Sequence, residues 1–247
     1  MEFLGLTHKG MVRDNNEDSF ACFADGLNKL PNLAIVADGM GGHQAGEVAS
    51  RLAIEFFVEY INNYDKEVKD YLKILIEGVR YANEKVFEAS LFDQGYFGMG
   101  TTFTACAVAE GMLYIAHVGD SRLYHINGMS IKLLTTDHTY TAEMVKAGII
   151  TTQEALIHPN RHALTKALGI DRQVEVDIYE EKLDEKSLIL ICSDGLTEMV
   201  DDDEILQIAG GSNELKAIAE ALISRANDNG GVDNITVILA KARGENL

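Results

Sequence analysis

Proline and cysteine are scarce in this chain. Its 247 residues hold two prolines, Pro31 and Pro159, and three cysteines, Cys22, Cys106 and Cys192. An odd count with no CxxC pair supports neither a disulfide framework nor a thiolate zinc site, and each cysteine lies in an apolar run. Buried, reduced thiols are expected. No Pro-rich or Gly/Ser-rich linker interrupts the chain and no repeat recurs, so residues 1–247 read as one domain. No apolar run reaches membrane-spanning length, and MEFLGLTHKG lacks the basic-then-apolar order of a signal peptide. Basic residues are few as well: 21 Lys and Arg against 39 Asp and Glu, a net charge of −18. Such a field repels nucleic-acid backbones and anionic lipid surfaces. The expectation is a cytoplasmic monomer that engages neither nucleic acid nor membrane.

What is present is ordinary globular material, 47% hydrophobic and 24% charged. From Glu47, Val48, Ala49, Leu52, Ala53, Phe56, Phe57, Tyr60 and Ile61 fall at helical spacing, with Arg51, Glu55 and Glu59 off the stripe. Leu72, Leu75, Ile76, Val79, Asn83 and Val86 repeat the pattern, and the break at Asn62–Asp65 predicts a helical hairpin. Leu215, Ile218, Ala219, Leu222 and Ile223 predict another helix, with Ser212 as its cap. Strands are predicted at Leu33–Ala37, Thr101–Ala109, Met112–Val118, Ser121–Ile126, Ile131–Leu134, Val174–Leu183, Leu188–Cys192 and Ile235–Ala240. Glu110-Gly111 and Asn127-Gly128 read as hairpin turns, so the sheets should be antiparallel, with helix pairs on their outer faces. Thr139–His162 fits neither period and reads as an irregular insertion with one short helix.

Three apolar runs end in aspartate: LAIVAD at Asp38, YIAHVGD at Asp120 and LILICSD at Asp194. Asp233 stands just before NITVILA, and Glu17-Asp18 just before SFACF. In antiparallel sheets the end of one strand and the start of its neighbour share a pole, so these carboxylates can converge. Converging carboxylates oppose one another's ionisation. Hard divalent cations relieve that, and an all-oxygen set favours magnesium, manganese or calcium over zinc. An isolated Asp-Gly is usually only a turn, but the set points to a site. Arg13 adds a guanidinium able to grip phosphate bidentately.

The motifs RDNNED (Arg13–Asp18), VADGMGGHQAGEVAS (Val36–Ser50), GTTFTACAV (Gly100–Val108), HVGDSRLY (His117–Tyr124), LTKALG (Leu164–Gly169), CSDGLTEMV (Cys192–Val200) and GGVDNITVIL (Gly230–Leu239) occur in that order. Together they resemble the metal-dependent Ser/Thr protein phosphatases, the PPM or protein phosphatase 2C class, in compact bacterial form. The resemblance runs to about Leu239, nearly the whole chain. It implies an α+β fold, a four-layer α-β-β-α sandwich of two antiparallel sheets flanked by helix pairs, with a flap at about 139–162. It also implies two core Mn2+ or Mg2+ ions and a third. Asp38, Asp194 and Asp233 would hold the first ion, and Asp38 would bridge to a second bound also by the Gly39 carbonyl. Glu17 and Asp18 would hold waters, Asn234 would steady that shell, and Asp120 with Asp194 would take the third ion. Arg13 would bind the substrate phosphate. The implied partners are phosphorylated proteins and an opposing Ser/Thr kinase.

The chemistry implied is attack of a metal-bridging hydroxide on phosphorus, in line with the leaving Ser or Thr oxygen. Beyond about 8–10 Å the acidic surface is screened, so a local positive site can still hold a phosphopeptide. One position departs from many eukaryotic members, which carry His directly after the Asp-Gly; here it is Met40, so His43, the nearest imidazole, and a metal-bound water are the two candidates for general acid. His8, His117, His125, His138, His158 and His162 read as surface or satisfied core histidines. Rival readings lack their motifs. There is no DxDx[TV] of haloacid-dehalogenase phosphatases, no CxxxxxR loop, and GDSR at Gly119–Arg122 does not continue as GDxxDRG. A silent binding domain would have lost a ligand or the arginine, and a calcium loop would show DxDxDG. Asp201–Glu204 lacks that spacing and predicts a helix start instead. The flap is expected to lie beside the catalytic end, so that changes at Thr141 or Glu143 alter phosphopeptide turnover more than aryl phosphate turnover.

Overall fold

The computed structural model describes residues 1–41, 45–65, 67, 70–92 and 94–242. In chain order they form β1 (Glu2–His8), β2 (Asp18–Phe23), β3 (Leu33–Met40), α1 (Ala45–Asn62), α2 (Tyr71–Phe92), β4 (Gly100–Thr101), β5 (Phe103–Ala109) and β6 (Met112–Val118). There follow β7 (Arg122–Asn127), β8 (Ser130–Leu133), α3 (Tyr140–Lys146), α4 (Thr152–Leu156), β9 (Asp177–Lys182) and β10 (Ser187–Cys192). The chain continues through α5 (Asp194–Thr197), α6 (Asp202–Gly210), α7 (Leu215–Asp228) and β11 (Ile235–Lys241).

The strands pair antiparallel in two sheets, one ordered β1-β11-β10-β7-β8 and the other β2-β3-β5-β6-β9, with β4 on β3. Their apolar runs are continuous because both faces are covered. On β3, Leu33, Ile35 and Ala37 face α1 and α2, while Ala34 and Val36 face the other sheet. On β10, Ile189 and Ile191 point between the sheets, and Leu190 and Cys192 point toward α6 and α7. β11 divides likewise, Ile235, Val237 and Leu239 against Ile238 and Ala240. The period of two therefore feeds three apolar layers from four layers of structure. That is the α-β-β-α sandwich expected from the motifs.

The predicted helical hairpin is α1 against α2. Glu110 and Gly111 both take positive φ, 52° and 73°, closing a two-residue turn between Ala109 and Met112. The helix expected from the acidic run is α6, with Asp201 accepting from the Glu204 amide at its start.

Three local readings need correction. Ser212 does not cap α7; Glu214 occupies that position without a side-chain bond, and the Ser212 hydroxyl accepts from the Glu214 amide in the preceding turn. The flap holds two short helices rather than one. Thr139 caps α3, and Thr151 with Glu154 closes a reciprocal capping box on α4. The N-terminal residues, for which no strand is predicted, form β1 along the edge of β11.

Candidate active site

Strand register brings the acidic residues together. Asp18 opens β2 directly opposite Asp38 on β3. Asp194 follows the end of β10, and Asp233 precedes the neighbouring β11. Asp120 follows β6, and Gly119 before it takes φ 113° with its Cα against the Thr102 side chain. All five thus lie at one pole of the sandwich, and the structure gathers what the sequence separates by up to 215 positions.

Each is fixed by its neighbours. The Asp38 amide donates to the Thr102 hydroxyl at 2.9 Å, and its carbonyl accepts from the Thr102 amide and the Thr101 hydroxyl at 2.8 Å each. Asp18 Oδ2 accepts from the Ser193 hydroxyl at 2.7 Å and the Thr236 hydroxyl at 2.6 Å. Ser193 precedes α5 but gives that helix no side-chain cap, because its hydroxyl is committed to Asp18. Asn234 is a tie-piece. Its Nδ2 donates to the Lys9 and Asn15 carbonyls, and its Oδ1 accepts from the Glu17 amide at 2.7 Å. The loop carrying Arg13 and Glu17 is thereby bound to the start of β11.

Gly39 and Gly46 meet without room for a methyl group. A Cβ on Gly39 would lie 2.1 Å from the Gly46 carbonyl oxygen, and one on Gly46 would lie 2.7 Å from Glu17 Oε2. Here close approach, not conformation, requires glycine, and it admits the Glu17 carboxylate against the start of α1.

The electrostatics are those of crowded, dehydrated acids. Burial, then the charges of Asp194 and Asp233, raise Asp18 to about 7 against the bonds from Thr236 and Ser193. Burial, followed by Asp18, Asp194, Asp120 and Asp233, holds Asp38 well above the ordinary carboxylate range. Asp120 rises for burial and Asp194, and Asp194 for burial and Asp233. Asp18 Oδ1 is buried without a hydrogen-bond partner. An orphaned carboxylate oxygen among mutually repelling acids fits a hydrated hard divalent cation, whose water would supply the missing partner and whose charge would relieve the repulsion.

Arg13 sits beside this cluster, donating through Nη2 to Asp233 Oδ2 at 2.6 Å. Without substrate the guanidinium forms this ion pair in place of the phosphate contact that the resemblance implies. Its side chains are 53% and 29% exposed. So open a pair is worth roughly 0–1 kcal/mol, and a phosphate dianion can take over the guanidinium at little cost. His43 lies outside the described residues.

The structure also adds residues that sequence reasoning set aside. His162 Nδ1 contacts Glu198 Oε1, and His162, Glu198 and Asp194 offer ligand atoms within 4.8 Å of one another. Glu198 is raised to about 7, by burial and then by Asp194. His162 was read as surface or satisfied core; it is exposed, but it stands at the site. Among the other histidines, His117 is a satisfied core residue, bonded to Thr104 Oγ1 and the Thr136 carbonyl and pushed down to about 4 by burial. Buried His138 joins the flap base to the Asp120 turn, its Nδ1 accepting from the Gly119 amide and its own amide donating to the Gly119 carbonyl.

Two packed antiparallel sheets with carboxylates and the Arg13 guanidinium gathered at a single pole define a class, proteins that hold hard cations beside an anion. Comparison with known proteins narrows it. The family model described as Protein phosphatase 2C matches residues 8–240. The chain belongs to the protein phosphatase 2C family. It is 36% identical over 240 residues to the serine/threonine phosphatase stp of Listeria monocytogenes serotype 4b (strain F2365), covering 95% of this chain and 93% of that protein. The crystal structure of Stp1 from Staphylococcus aureus superposes with a TM-score of 0.91 at 34% identity, covering 98% of this chain and 95% of that one. The catalytic domain of PstP, solved with two manganese ions, superposes with a TM-score of 0.83 at 34% identity over 97% of each chain.

Proposed function

We propose that this chain is a metal-dependent protein serine/threonine phosphatase using Mn2+ or Mg2+. The observation that carries the reading is the convergence of Asp18, Asp38, Asp120, Asp194 and Asp233 at one pole, with Arg13 at its edge. Relatives named as serine/threonine phosphatases, and a similar structure holding two manganese ions, support it.

Asp38, Asp194 and Asp233 would hold a core ion, Asp38 and the Gly39 carbonyl a second, and Asp120 with Asp194 a third. Such cations would lower the pKa of water at the site toward neutrality and offset charge on the phosphoryl oxygens. Glu17 and Asp18 would orient waters of that set. Asn234 keeps Glu17 in place through its bond to the Glu17 amide. Arg13 leaves Asp233 to clamp the phosphate and stabilises charge on its oxygens as the ester bond breaks. His43 is the candidate proton donor to the leaving Ser or Thr oxygen.

Residues 1–247 act as one phosphatase domain with its flap at about 139–162. Its substrates are phosphorylated proteins, opposed by a Ser/Thr kinase, and it works as a cytoplasmic monomer. Cys22, Cys106 and Cys192 are free, with thiols pushed up to about 12 by burial, which suits a reducing compartment. No helix among the described residues is long and apolar enough to cross a membrane.

Phosphate release from phosphothreonine and phosphoserine peptides in Mn2+, beside a phosphotyrosine peptide, tests the reading. Turnover of the first two is expected. Failure on both, with metal bound, would overturn it.

Arg13→Ala should raise KM for a phosphopeptide roughly ten-fold or more, the size of one lost hydrogen bond to a charged group. Because the same substitution frees Asp233, metal affinity should hold or rise. Steady-state kinetics alongside calorimetric metal titration check this. Unchanged KM and turnover would leave Arg13 as a surface ion pair only.

A further inference from the structure

Between the flap and the acidic pole runs a groove of about 870 Å³. Ala142 and Val145 of α3 and Ala155 and Leu156 of α4 form one wall, and Met199 and Val232 face them. Asp120 and Asp194 line the same groove, so it is continuous with the candidate active site. Leu156 is 70% exposed and Val232 42%. Apolar side chains left this open, grouped around a concave surface, mark a place where another molecule docks. Lys146, Arg161 and Glu198 also line it, so the lining is mixed, apolar with charges of both signs.

We infer that this groove receives a bulky apolar side chain of the substrate polypeptide, from a residue close in sequence to the phosphorylated serine or threonine. The inference rests on the phosphatase reading and deepens it by naming a substrate feature. The occupant follows from continuity. A polypeptide that places its phosphate between Arg13 and the aspartates must leave the site across one of its walls, and the groove begins at Asp120 and Asp194. Its mixed lining suits an amphiphilic chain, with an apolar side chain against Val145, Leu156 and Met199 and polar backbone passing Lys146 and Arg161.

The test uses the full chain with Mn2+ and a set of phosphothreonine peptides in which leucine or serine stands in turn at each flanking position. At one or more positions the leucine peptide should show kcat/KM roughly ten-fold or more above the serine peptide, the usual discrimination of an apolar pocket. In Leu156→Asp that ratio should fall toward one, with aryl phosphate turnover reporting that the variant is folded. Equal kcat/KM for leucine and serine at every position, with the peptides hydrolysed, would overturn the groove assignment and leave the phosphatase reading standing. So would a leucine preference that survives intact in Leu156→Asp and in Val145→Asp. Failure to hydrolyse both the peptides and the aryl phosphate would overturn both readings together.

Discussion

Asp38→Ala should lower turnover of a phosphothreonine peptide by roughly 10³-fold or more, the scale of losing a group that stabilises developing charge in a dry site. Asp38 sits at the centre of the cluster, with Asp18 across the strand pair and Asp194, Asp120 and Asp233 all raising its pKa after burial. Its backbone is held by Thr101 and Thr102, so removing the carboxylate leaves the strand end in place. Metal affinity should therefore fall with rate while the fold persists. Asp233→Ala should behave alike, with Arg13 left unpaired. Calorimetric metal binding measured beside turnover checks both variants. Wild-type values for metal and rate together would reduce these aspartates to turn residues.

The second large effect concerns the metal-free protein and pH. Asp18, Asp38, Asp120 and Asp194 all have folded-state pKa values above their unfolded values. For a carboxyl group shifted in that direction, the folded state binds the proton more tightly. Its contribution is fully present below the unfolded pKa, near 4, and is lost as pH rises through the folded pKa, about 7 for Asp18. Metal-free protein should therefore lose stability between about pH 4 and pH 7. Asp177 and Glu181 run the other way, drawn down by partners that outweigh their burial. The difference between Mn2+-saturated and metal-free protein removes that opposing contribution. The gap in Tm should widen as pH rises, by about 2–4 °C for each kcal/mol of repulsion relieved. A gap that stays constant or narrows from pH 4 to pH 7 would contradict a cation site built on these acids.

The fold was legible wherever an element buries a repeating face. α1 and α2 show helical stripes, and β3, β5, β6, β10 and β11 are nearly unbroken apolar runs because both sheet faces are covered. The aspartates were legible because each interrupts such a run at its end. β1 was harder to read. It is only half-buried, and Gly5 within it looks like a break, yet a Cβ there would lie 2.3 Å from the Phe20 ring. That glycine answers to packing across the sheets, which no local pattern carries. The flap helices are seven and five residues long, too short for periodicity to register. The Thr151–Glu154 capping box was a visible signal for the second of them.

At the site, Arg13 with Asp233 and His162 with Glu198 were beyond sequence reasoning for a different reason. Neither pair shares an element, and the first spans 220 positions. Asn234 illustrates the mixture. Its place after Asp233 was visible in the motif, whereas its bonds to Lys9, Asn15 and Glu17 appear only once β11 has met the N-terminal loop.

Stripping the protein of metal and then titrating Mn2+, Mg2+ and Ca2+ separately, while following phosphate release from a phosphothreonine peptide, tests the central claim most directly. The acidic pole predicts negligible turnover in excess chelator and a saturable return of activity with Mn2+ or Mg2+. Full turnover after complete metal removal would contradict it.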